Sequence, residues 1–507
     1  MARIPRGVGF LLAEIADFVP SSGVKPTLVF ILAAGFLAVV HSAEERRNLL
    51  FIYLDDFGWR DTSFMGSDFY ETPHLDELAG QGMVFTQAYS PAANCAPARA
   101  SLLTGQYSPR HEIYNVGTGP RGKSAHRRLE HIPGRDTLRP DAVTWSGVLA
   151  DAGYRTALMG KWHLSQDPLD HGFTLNIGGS HSGSPPKGYY PPHPRVPGLG
   201  EVAEGEYLTD TLSRAAAAYV RENAGRPWVL YLSHFAVHTP LDAKRELVAK
   251  YEAKSPGERH DHVAMATMIQ SVDDGVAEIM SALEETGQAD RTVIVFFSDN
   301  GGYGPATDMD PLKGYKGTYY EGGIRVPLFV VWPGRVAPDQ TSEIPVHGVD
   351  LFPTFCDLLG VDLPATHALD GRSLVPVLEG SLDETTLTEW RERALFWHFP
   401  AYLQSYGGMK GELEQRDPLF RSRPVSLIRR GKWKLHQYFE DEALELYDLE
   451  TDPGESTNLA ESRQAIAEDL LAELRAWQEA TKAAIPAAPN PEFDAGIEAR
   501  AIEKAVR

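Results

Sequence analysis

Acidic and amide side chains follow two apolar runs of the sequence that have the length of buried strands. The runs are Asn48–Leu54 (NLLFIYL) and Thr292–Ser298 (TVIVFFS). The side chains after them are Asp55 and Asp56 for the first run, and Asp299 and Asn300 for the second. Carboxylates that meet without a cation raise one another's pKa, and a hard divalent cation removes that repulsion. Oxygen ligands favour Ca²⁺ or Mg²⁺ over zinc. The pattern predicts a divalent-cation site; the alternative is that each acidic pair caps the loop or helix that follows it.

Cys95 is a second candidate, because it stands just ahead of the expected N-terminus of a helix. It begins the run CAPARASLLTG, in which Pro97 suits the first turn of a helix. The free N–H groups of a helix N-terminus favour an anion, and Arg99 lies one turn further along. The alternative for a lone cysteine is a buried small hydrophobic residue. We assign that structural role to Cys356, in the apolar run LFPTFCDLL.

These residues need a sheet that brings distant strand ends together. Thr156–Met159 and Trp228–Ser233 are two further short apolar runs, and strands apolar on both faces belong to a sheet covered on both sides. Between the runs, apolar residues recur at helical spacing over 207–215 and 265–283. The alternation predicts an α/β fold with a doubly wound, mostly parallel sheet flanked by helices. In such a sheet, ligands bind at the carboxyl ends of the strands.

The character of the sequence changes from about Ala394. Short alternating runs separated by turns predict a small antiparallel sheet; they are Leu395–Phe399, Val425–Arg429, Trp433–Tyr438 and Leu444–Asp448. Apolar residues between 466 and 477 then predict an amphipathic terminal helix. We therefore expect a larger α/β domain over residues 44–383 and a C-terminal α+β subdomain over residues 384–507.

The N-terminal segment predicts export. Thr27–Val40 (TLVFILAAGFLAVV) carries no charge, and small residues follow it. A membrane span needs roughly 20 apolar residues, so this shorter run is typical of a signal peptide over residues 1–43, cleaved near Ala43. A short membrane anchor is the alternative. We expect a periplasmic or extracellular protein without a stable membrane span.

The composition excludes several classes of protein. The 48 basic and 69 acidic residues give a net charge of −21, which argues against nucleic acid or an anionic membrane as the main partner. Two cysteines exclude both a disulfide-built scaffold and a Cys-rich zinc site. The 9 Trp, 20 Tyr and 21 Phe exclude disorder over most of the chain. An anionic substrate would therefore have to be held by a local pocket of cations.

The motif at Cys95 resembles that of the formylglycine-dependent (type I) sulfatases, which are arylsulfatase-like members of the alkaline phosphatase superfamily. Their signature is C-x-P-[S/A]-R followed by a short helix ending L-x-T-G. Six further pieces match in the same order: LDDFGW (54–59), TPHLDELA (72–79), GYRTALMGKWH (153–163), HTP (238–240), FFSDNGG (296–302) and KGTYYEGGIRVP (316–327). The resemblance runs from about Asn48 to Gly380. Ala98 stands where Ser is commoner, and this change removes no ligand.

The resemblance implies a mechanism. A separate maturation enzyme would oxidise Cys95 to formylglycine, which is hydrated to a gem-diol. One hydroxyl would attack the sulfur of a sulfate ester, expected on a carbohydrate, and the other would then expel sulfate by elimination. The metal ligands would be residue 95 together with Asp55, Asp56, Asp299 and Asn300. The ion would be Ca²⁺ rather than Mg²⁺ and would act as a Lewis acid.

The resemblance also implies roles for the basic side chains. Arg99 and Lys161 would fix the gem-diol and balance the nearby carboxylates. His163 would take a proton during the elimination. His238 and Lys316 would grip the sulfate and protonate or stabilise the leaving oxygen, which is worth about a hundredfold to ten-thousandfold in rate.

Other side chains have less specific expectations. We expect Arg325 to hold its own loop through hydrogen bonds rather than to contact substrate. The candidates for a sugar subsite are His181, His193, and His398 with Trp397. Each of them could instead serve only to pack a loop.

Two other functions remain open from the sequence. A phosphonate monoester or phosphodiester hydrolase of the same superfamily can carry the same C-x-P-x-R motif. A catalytically inactive carbohydrate-binding homologue is the other alternative, and it is disfavoured because every recognised catalytic position is retained.

Overall fold

The apolar runs of the sequence become strands, because side chains on both faces of each run are buried. This computed structural model describes residues 46–193, 196–200, 202–406, 416 and 418–506. Its strands are β1 (Asn48–Leu54), β2 (Met83–Phe85), β3 (Ala88–Tyr89), β4 (Arg155–Gly160), β5 (Leu175–Ile177), β6 (Trp228–Ser233), β7 (Thr292–Ser298), β8 (Leu328–Val331), β9 (Gln340–Ser342), β10 (Val346–His347), β11 (Ala394–Phe399), β12 (Leu403–Gln404), β13 (Phe420–Ser422), β14 (Val425–Arg430), β15 (Trp433–Tyr438) and β16 (Leu444–Asp448).

Helices alternate with these strands. They are α1 (Pro73–Gly80), α2 (Cys95–Thr104), α3 (Ser108–His111), α4 (Trp145–Asp151), α5 (Leu208–Glu222), α6 (Arg245–Glu252), α7 (Val263–Glu285), α8 (Glu321–Ile324), α9 (Leu351–Leu358), α10 (Val375–Leu378), α11 (Glu384–Glu392), α12 (Gln464–Thr481) and α13 (Ala495–Val506). The helix expected at 466–477 is α12, but it is not terminal, since α13 follows it. The sequence analysis predicts no helix after residue 477, and α13 corrects this.

The large sheet has eight strands in the order β5-β4-β6-β1-β7-β8-β2-β9. Neighbouring strands from β5 to β7 are parallel, and β8 runs antiparallel to both of its neighbours. Separate apolar clusters cover the two faces. One includes Leu212 and Met268 from helices α5 and α7, and the other includes Trp145 and Phe355 from α4 and α9. The predicted fold class, a mostly parallel sheet between helices, is confirmed.

The smaller sheet is antiparallel, with the strand order β11-β14-β15-β16. Helix α12 covers one face of it through Leu470 and Leu474, which pack with Leu435 and Leu446. This C-terminal antiparallel sheet and its helix are also as predicted.

The described residues from 47 onwards form one compact unit, and α11 begins directly after Asp383, where the sequence predicts a subdomain boundary. The predicted signal peptide, residues 1–43, lies outside the described residues. None of the helices in the described part of the chain is both long enough and apolar enough to cross a bilayer.

Candidate functional site

The two acidic strand ends meet because β1 and β7 are parallel neighbours with Leu54 opposite Ser298. Asp55 and Asp56 therefore begin at the same level as Asp299 and Asn300, and all four residues are fully buried. The Asp56 N–H donates to Asp299 Oδ1 at 3.1 Å. This placement is the one expected at the carboxyl edge of a parallel sheet.

Two residues of the site adopt backbone angles in the left-handed region. Asp56 has φ of 59° and His163 has φ of 67°. Residues other than glycine hold such angles only where the surrounding structure fixes them, and functional sites are enriched in them. Nothing in the sequence indicates this turn at either position.

Cys95 lies at the N-terminus of α2, against the carboxylates. The helix begins at Cys95 itself, one residue earlier than the sequence predicts, and the preceding Asn94 is extended. The Cys95 thiol donates to Asp55 Oδ1 at 3.4 Å and lies 3.9 Å from Asp56 Oδ1. Burial raises the pKa of this thiol, but the positive charges of Lys161 and Lys316 outweigh burial and lower the pKa to about 7. Cys356, in contrast, is buried in apolar surroundings, and burial raises its pKa to about 12.

Three buried cations face the three carboxylates. Lys161 Nζ lies 2.5 Å from Asp55 Oδ2, and Lys316 Nζ lies 2.6 Å from Asp56 Oδ2. Burial alone would raise the pKa of Asp56, but Lys316 holds it well below its ordinary value. The cations therefore keep this carboxylate ionised inside the protein.

Arg99 fixes the third carboxylate. Its Nη2 and Nε donate to Asp299 Oδ2 at 2.9 and 3.2 Å. Its Nη1 donates to the Lys161 carbonyl oxygen at 3.0 Å and to Ser233 Oγ at 2.5 Å. Arg99 thereby ties together the ends of three strands, β4, β6 and β7.

Two histidines complete the cluster. His238 Nε2 lies 3.8 Å from Asp56 Oδ2, and its Nδ1 donates to the Thr239 carbonyl oxygen at 2.7 Å. Burial and Lys316 lower the pKa of His238, but Asp55 and Asp56 outweigh them and raise it. Burial lowers the pKa of His163, and the positive charge of Lys161 adds to this effect. His238 is therefore the easier of the two to protonate.

The donor set suits a hard cation. Ligand atoms of Asp55, Asp56, Cys95 and His238 all lie within 4.8 Å of one another. The buried Asn300 Oδ1 has no hydrogen-bond partner in the described structure, while its Nδ2 donates to Asp56 Oδ1 at 2.9 Å. An orphaned buried oxygen beside carboxylates fits an ion that prefers oxygen ligands. All ten residues that the sequence predicts to be catalytic or metal-binding thus lie at this site.

A pocket of about 410 Å³ opens above this cluster. Several residues that line it are not among the candidates that the sequence predicts; these are Asn94, Asn115, Arg121, Tyr303, Leu403, Tyr406 and Arg421. They come from separate loops and from β12 and β13, and no motif or periodicity marks them. Only their convergence in the fold identifies them.

The residues expected to form a sugar subsite are not among those that line the pocket. His398 and Trp397 are buried and do not line the pocket, so the alternative of a packing role holds for them. His398 bonds Ser426 and the Ala484 carbonyl. His193 does not line the pocket. His181 lies beside it, with its ring 6.3 Å from that of His163. Arg325 does hold its loop, since its Nε donates to the Thr86 carbonyl at 2.8 Å.

Comparisons with known proteins identify the family. Residues 47–361 match the family model described as Sulfatase. Residues 315–480 match the model for "N-sulphoglucosamine sulphohydrolase, C-terminal". A "Sulfatase" of Formosa agariphila is 32% identical, over 86% of this chain and 89% of its own length.

The chain belongs to the sulfatase family. It is a type I sulfatase of the alkaline phosphatase superfamily, and therefore a sulfuric ester hydrolase. Arylsulfatase A of Homo sapiens is 29% identical, over 86% of this sulfatase and 87% of its own length. The solved structure of "Ps i-CgsB in complex with k-i-k-neocarrahexaose" is 28% identical with a TM-score of 0.69, covering 90% of this chain and 98% of that one.

The alternative enzyme shares the fold with this sulfatase. Phosphonate monoester hydrolase of Agrobacterium radiobacter superposes with a TM-score of 0.59 at 24% identity, covering 85% of this chain and 96% of that one. Because the family model and the curated relatives are sulfatases, sulfatase activity is favoured over phosphonate monoester hydrolase activity.

Proposed function

We propose that this sulfatase removes sulfate esters from carbohydrates, using formylglycine at position 95 and Ca²⁺. One observation carries the proposal: Cys95 Sγ lies 3.4 Å from Asp55 Oδ1, at the floor of an open pocket. A thiol is a soft ligand, whereas the oxygens of a hydrated formyl group match the hard carboxylates beside it. The hydrated form would supply a nucleophilic hydroxyl there.

The cation would be held by residue 95 and by the acidic strand ends, Asp55, Asp56, Asp299 and Asn300. The orphaned Asn300 Oδ1 and the adjacent buried carboxylates support this assignment. An all-oxygen donor set of this kind favours Ca²⁺, with Mg²⁺ as the second choice. When bound, such an ion supplies positive charge that polarises a sulfate oxygen.

His238 and Lys316 would serve the leaving group. Both line the pocket and both approach Asp56 Oδ2, so they converge on one point of the pocket floor. A carbonyl oxygen only accepts, so the His238 Nδ1–H is fixed on Thr239 and Nε2 is left to carry the exchangeable proton. This histidine, with its raised pKa, would protonate the departing sugar oxygen.

His163 would take the proton of the second hydroxyl of the hydrated formylglycine during the elimination of sulfate. It lines the same pocket, and its lowered pKa keeps it neutral and able to accept a proton. Arg99 and Lys161 would hold the carboxylates and the residue-95 side chain in position, because their bonds to Asp299 and Asp55 are short and buried.

A carbohydrate substrate is supported by relatives of comparable identity. The 28% identical "Ps i-CgsB" structure holds an oligosaccharide, k-i-k-neocarrahexaose. A 28% identical relative from Mus musculus is named N-acetylgalactosamine-6-sulfatase. A pocket of about 410 Å³ lies in the size range of small-molecule sites, and polar side chains line most of it.

The proposal is tested with matched aryl esters. Protein co-produced with a formylglycine-generating enzyme is assayed on 4-nitrophenyl sulfate and 4-nitrophenyl phosphate. We expect faster sulfate turnover, loss of that turnover in Cys95→Ala, and retention in the matched control Cys356→Ala. Faster phosphate turnover, or an active Cys95→Ala protein, would overturn the proposal.

Export is a separate part of the proposal. We propose that residues 1–43 are a signal peptide, that the catalytic domain covers 44–383 and the C-terminal subdomain 384–507, and that the mature enzyme is periplasmic or extracellular. N-terminal sequencing of protein recovered outside the cytoplasm tests this, with a start near Glu44 as the expected result. A mature chain that begins at Met1 and stays with the membrane fraction would contradict it.

A further inference from the structure

The pocket wall carries positive charge that the proposed sulfate site does not use. Arg121 and Arg421 line the pocket together with Lys316. No aspartate or glutamate is among the described residues that line it, in a chain with 69 acidic residues. We infer that the pocket takes a saccharide with a second anionic group, a sulfate or a carboxylate, bound by Arg121 and Arg421 beside the sulfate ester that is cleaved. This inference rests on the proposed function.

Arg421 is held in place without being neutralised. Its Nε donates to the Gln404 carbonyl at 2.9 Å, and its Nη1 donates to the Lys316 carbonyl at 3.2 Å. Its guanidinium lies 3.8 Å from the centre of the Tyr406 ring. Two carbonyls and an aromatic face fix its position, but none of them carries the negative charge that a partly buried guanidinium favours.

Arg121 reaches the same pocket from a different loop. Its Nη2 donates to the Val116 carbonyl at 2.6 Å. In the described part of the chain, neither Arg121 nor Arg421 forms an ion pair. Lys316 differs from both of them, because it pairs with Asp56 at 2.6 Å. Two guanidinium groups that line one pocket offer several N–H donors to a planar or tetrahedral anion.

Asn115 supplies an independent sign of a ligand in this pocket. It lines the wall and is only 5% exposed. Its Oδ1 accepts from Asn94 Nδ2 at 3.1 Å and from the Val116 N–H at 2.8 Å. These two bonds fix the amide, yet its Nδ2 has no hydrogen-bond partner in the described structure. A buried, oriented and unused donor is costly unless a ligand acceptor reaches it.

The test measures binding by isothermal titration calorimetry to the Cys95→Ala protein, which does not turn over. One arm compares N-acetyl-D-galactosamine 4,6-disulfate with the 6-sulfate. The other compares a uronic acid disaccharide of a 6-sulfated hexosamine with its carboxyl-reduced form. Because a charge-assisted bond is worth roughly tenfold to a hundredfold in affinity, we expect such a preference for the dianionic member of one or both pairs. The pair that shows it identifies sulfate or carboxylate as the anion.

Variants assign that preference to the two arginines. Arg421→Gln and Arg121→Gln should each reduce it to about threefold or less. If Arg421→Gln fails to fold, Arg121→Gln still tests the inference, because the Arg121 side chain bonds only one carbonyl, that of Val116. Arg335→Gln is the matched control, because Arg335 lies in the turn after β8, at the opposite edge of the sheet, and pairs with Glu379 on the surface. It should leave the preference unchanged.

The outcomes separate this inference from the proposed function. Equal affinity within each pair, no detectable binding of any probe, or a preference that survives both arginine variants would overturn the inference. Turnover of 4-nitrophenyl sulfate by the converted wild-type protein tests the proposed function by itself. A protein that shows the preference but cleaves no sulfate ester would overturn only the proposed function.

Discussion

Replacing Lys434 by methionine should destabilise the fold and loosen the loop that carries Lys316. Lys434 Nζ lies 3.0 Å from Glu321 Oε1 and 3.0 Å from Glu455 Oε1, and all three side chains are fully buried. Lys434 is on β15, whereas Glu321 begins α8, five residues after Lys316. The network therefore fastens this loop to the C-terminal sheet.

The size of the effect follows from the burial. Removing one partner of a buried ion pair costs about 3–5 kcal/mol, because a charge is left uncompensated. Burial raises the pKa of Glu455 to about 7 even with Lys434 present. Without Lys434, the two buried carboxylates must either repel each other or take up a proton, and both outcomes disfavour the folded state at pH 8. An unfolding entropy of about 2.1 cal/mol/K per residue gives roughly 1 kcal/mol/K for residues 47–507. Tm should therefore fall by about 3–5 °C.

Thermal melts at pH 8 with chelator present measure this shift without a contribution from bound metal. The matched control is Lys432→Met in the same hairpin, because Lys432 is solvent-exposed and pairs with Asp448 and Glu450, and such surface pairs contribute little. Lys434→Met should also lower kcat on 4-nitrophenyl sulfate when the assay is run at a temperature well below the Tm of the variant. Equal Tm shifts for the two variants would refute the reasoning.

Three further predictions concern the site and the response to acid. Gly183→Ala should lower kcat, because a Cβ at this position would lie 2.5 Å from the His163 ring. In the control Gly119→Ala, the added Cβ meets nothing within 4 Å. Equal kcat values for the two variants would contradict this prediction. Ca²⁺ at a hundred times its Kd should raise Tm by about 2–3 °C, since binding then adds about 2.7 kcal/mol, and a Tm that chelator leaves unchanged would count against the metal site. Burial lowers the pKa of His111 to about 3, so the folded state resists a proton that the unfolded chain accepts below about 6.5. The stability that His111 contributes is therefore lost as the pH falls below about 6.5. Thermal melts at pH 7 and pH 5 should show a smaller fall in Tm for His111→Gln than for the wild type.

Much of the fold was predictable because its central strands are buried on both faces. A run such as TVIVFFS has no polar face, so its bounds as a strand, Thr292–Ser298, coincide with the apolar run. The acidic residues that end such strands then fall at one edge of a parallel sheet. That Asp55 and Asp299 lie at the same edge therefore follows from the strand assignment and the rule for parallel sheets. Their direct proximity also needs β1 and β7 to be neighbours, and only the fold shows this.

The pocket wall was not predictable in the same way. Arg121, Arg421 and Asn115 lie in segments without periodicity, and only long-range packing brings them together. His398 illustrates the two alternatives, since a polar residue in a short strand can as easily face the interior as the pocket. There it bonds Ser426, and burial lowers its pKa to about 4.

We propose that residue 95, beside the buried carboxylates, acts as a formylglycine. Peptide mass spectrometry across Cys95 tests it most directly, on preparations made with graded amounts of a formylglycine-generating enzyme. We predict that 4-nitrophenyl sulfate turnover rises in proportion to the fraction of peptide that carries the formyl group. A fully active preparation in which Cys95 is entirely a thiol would contradict the claim.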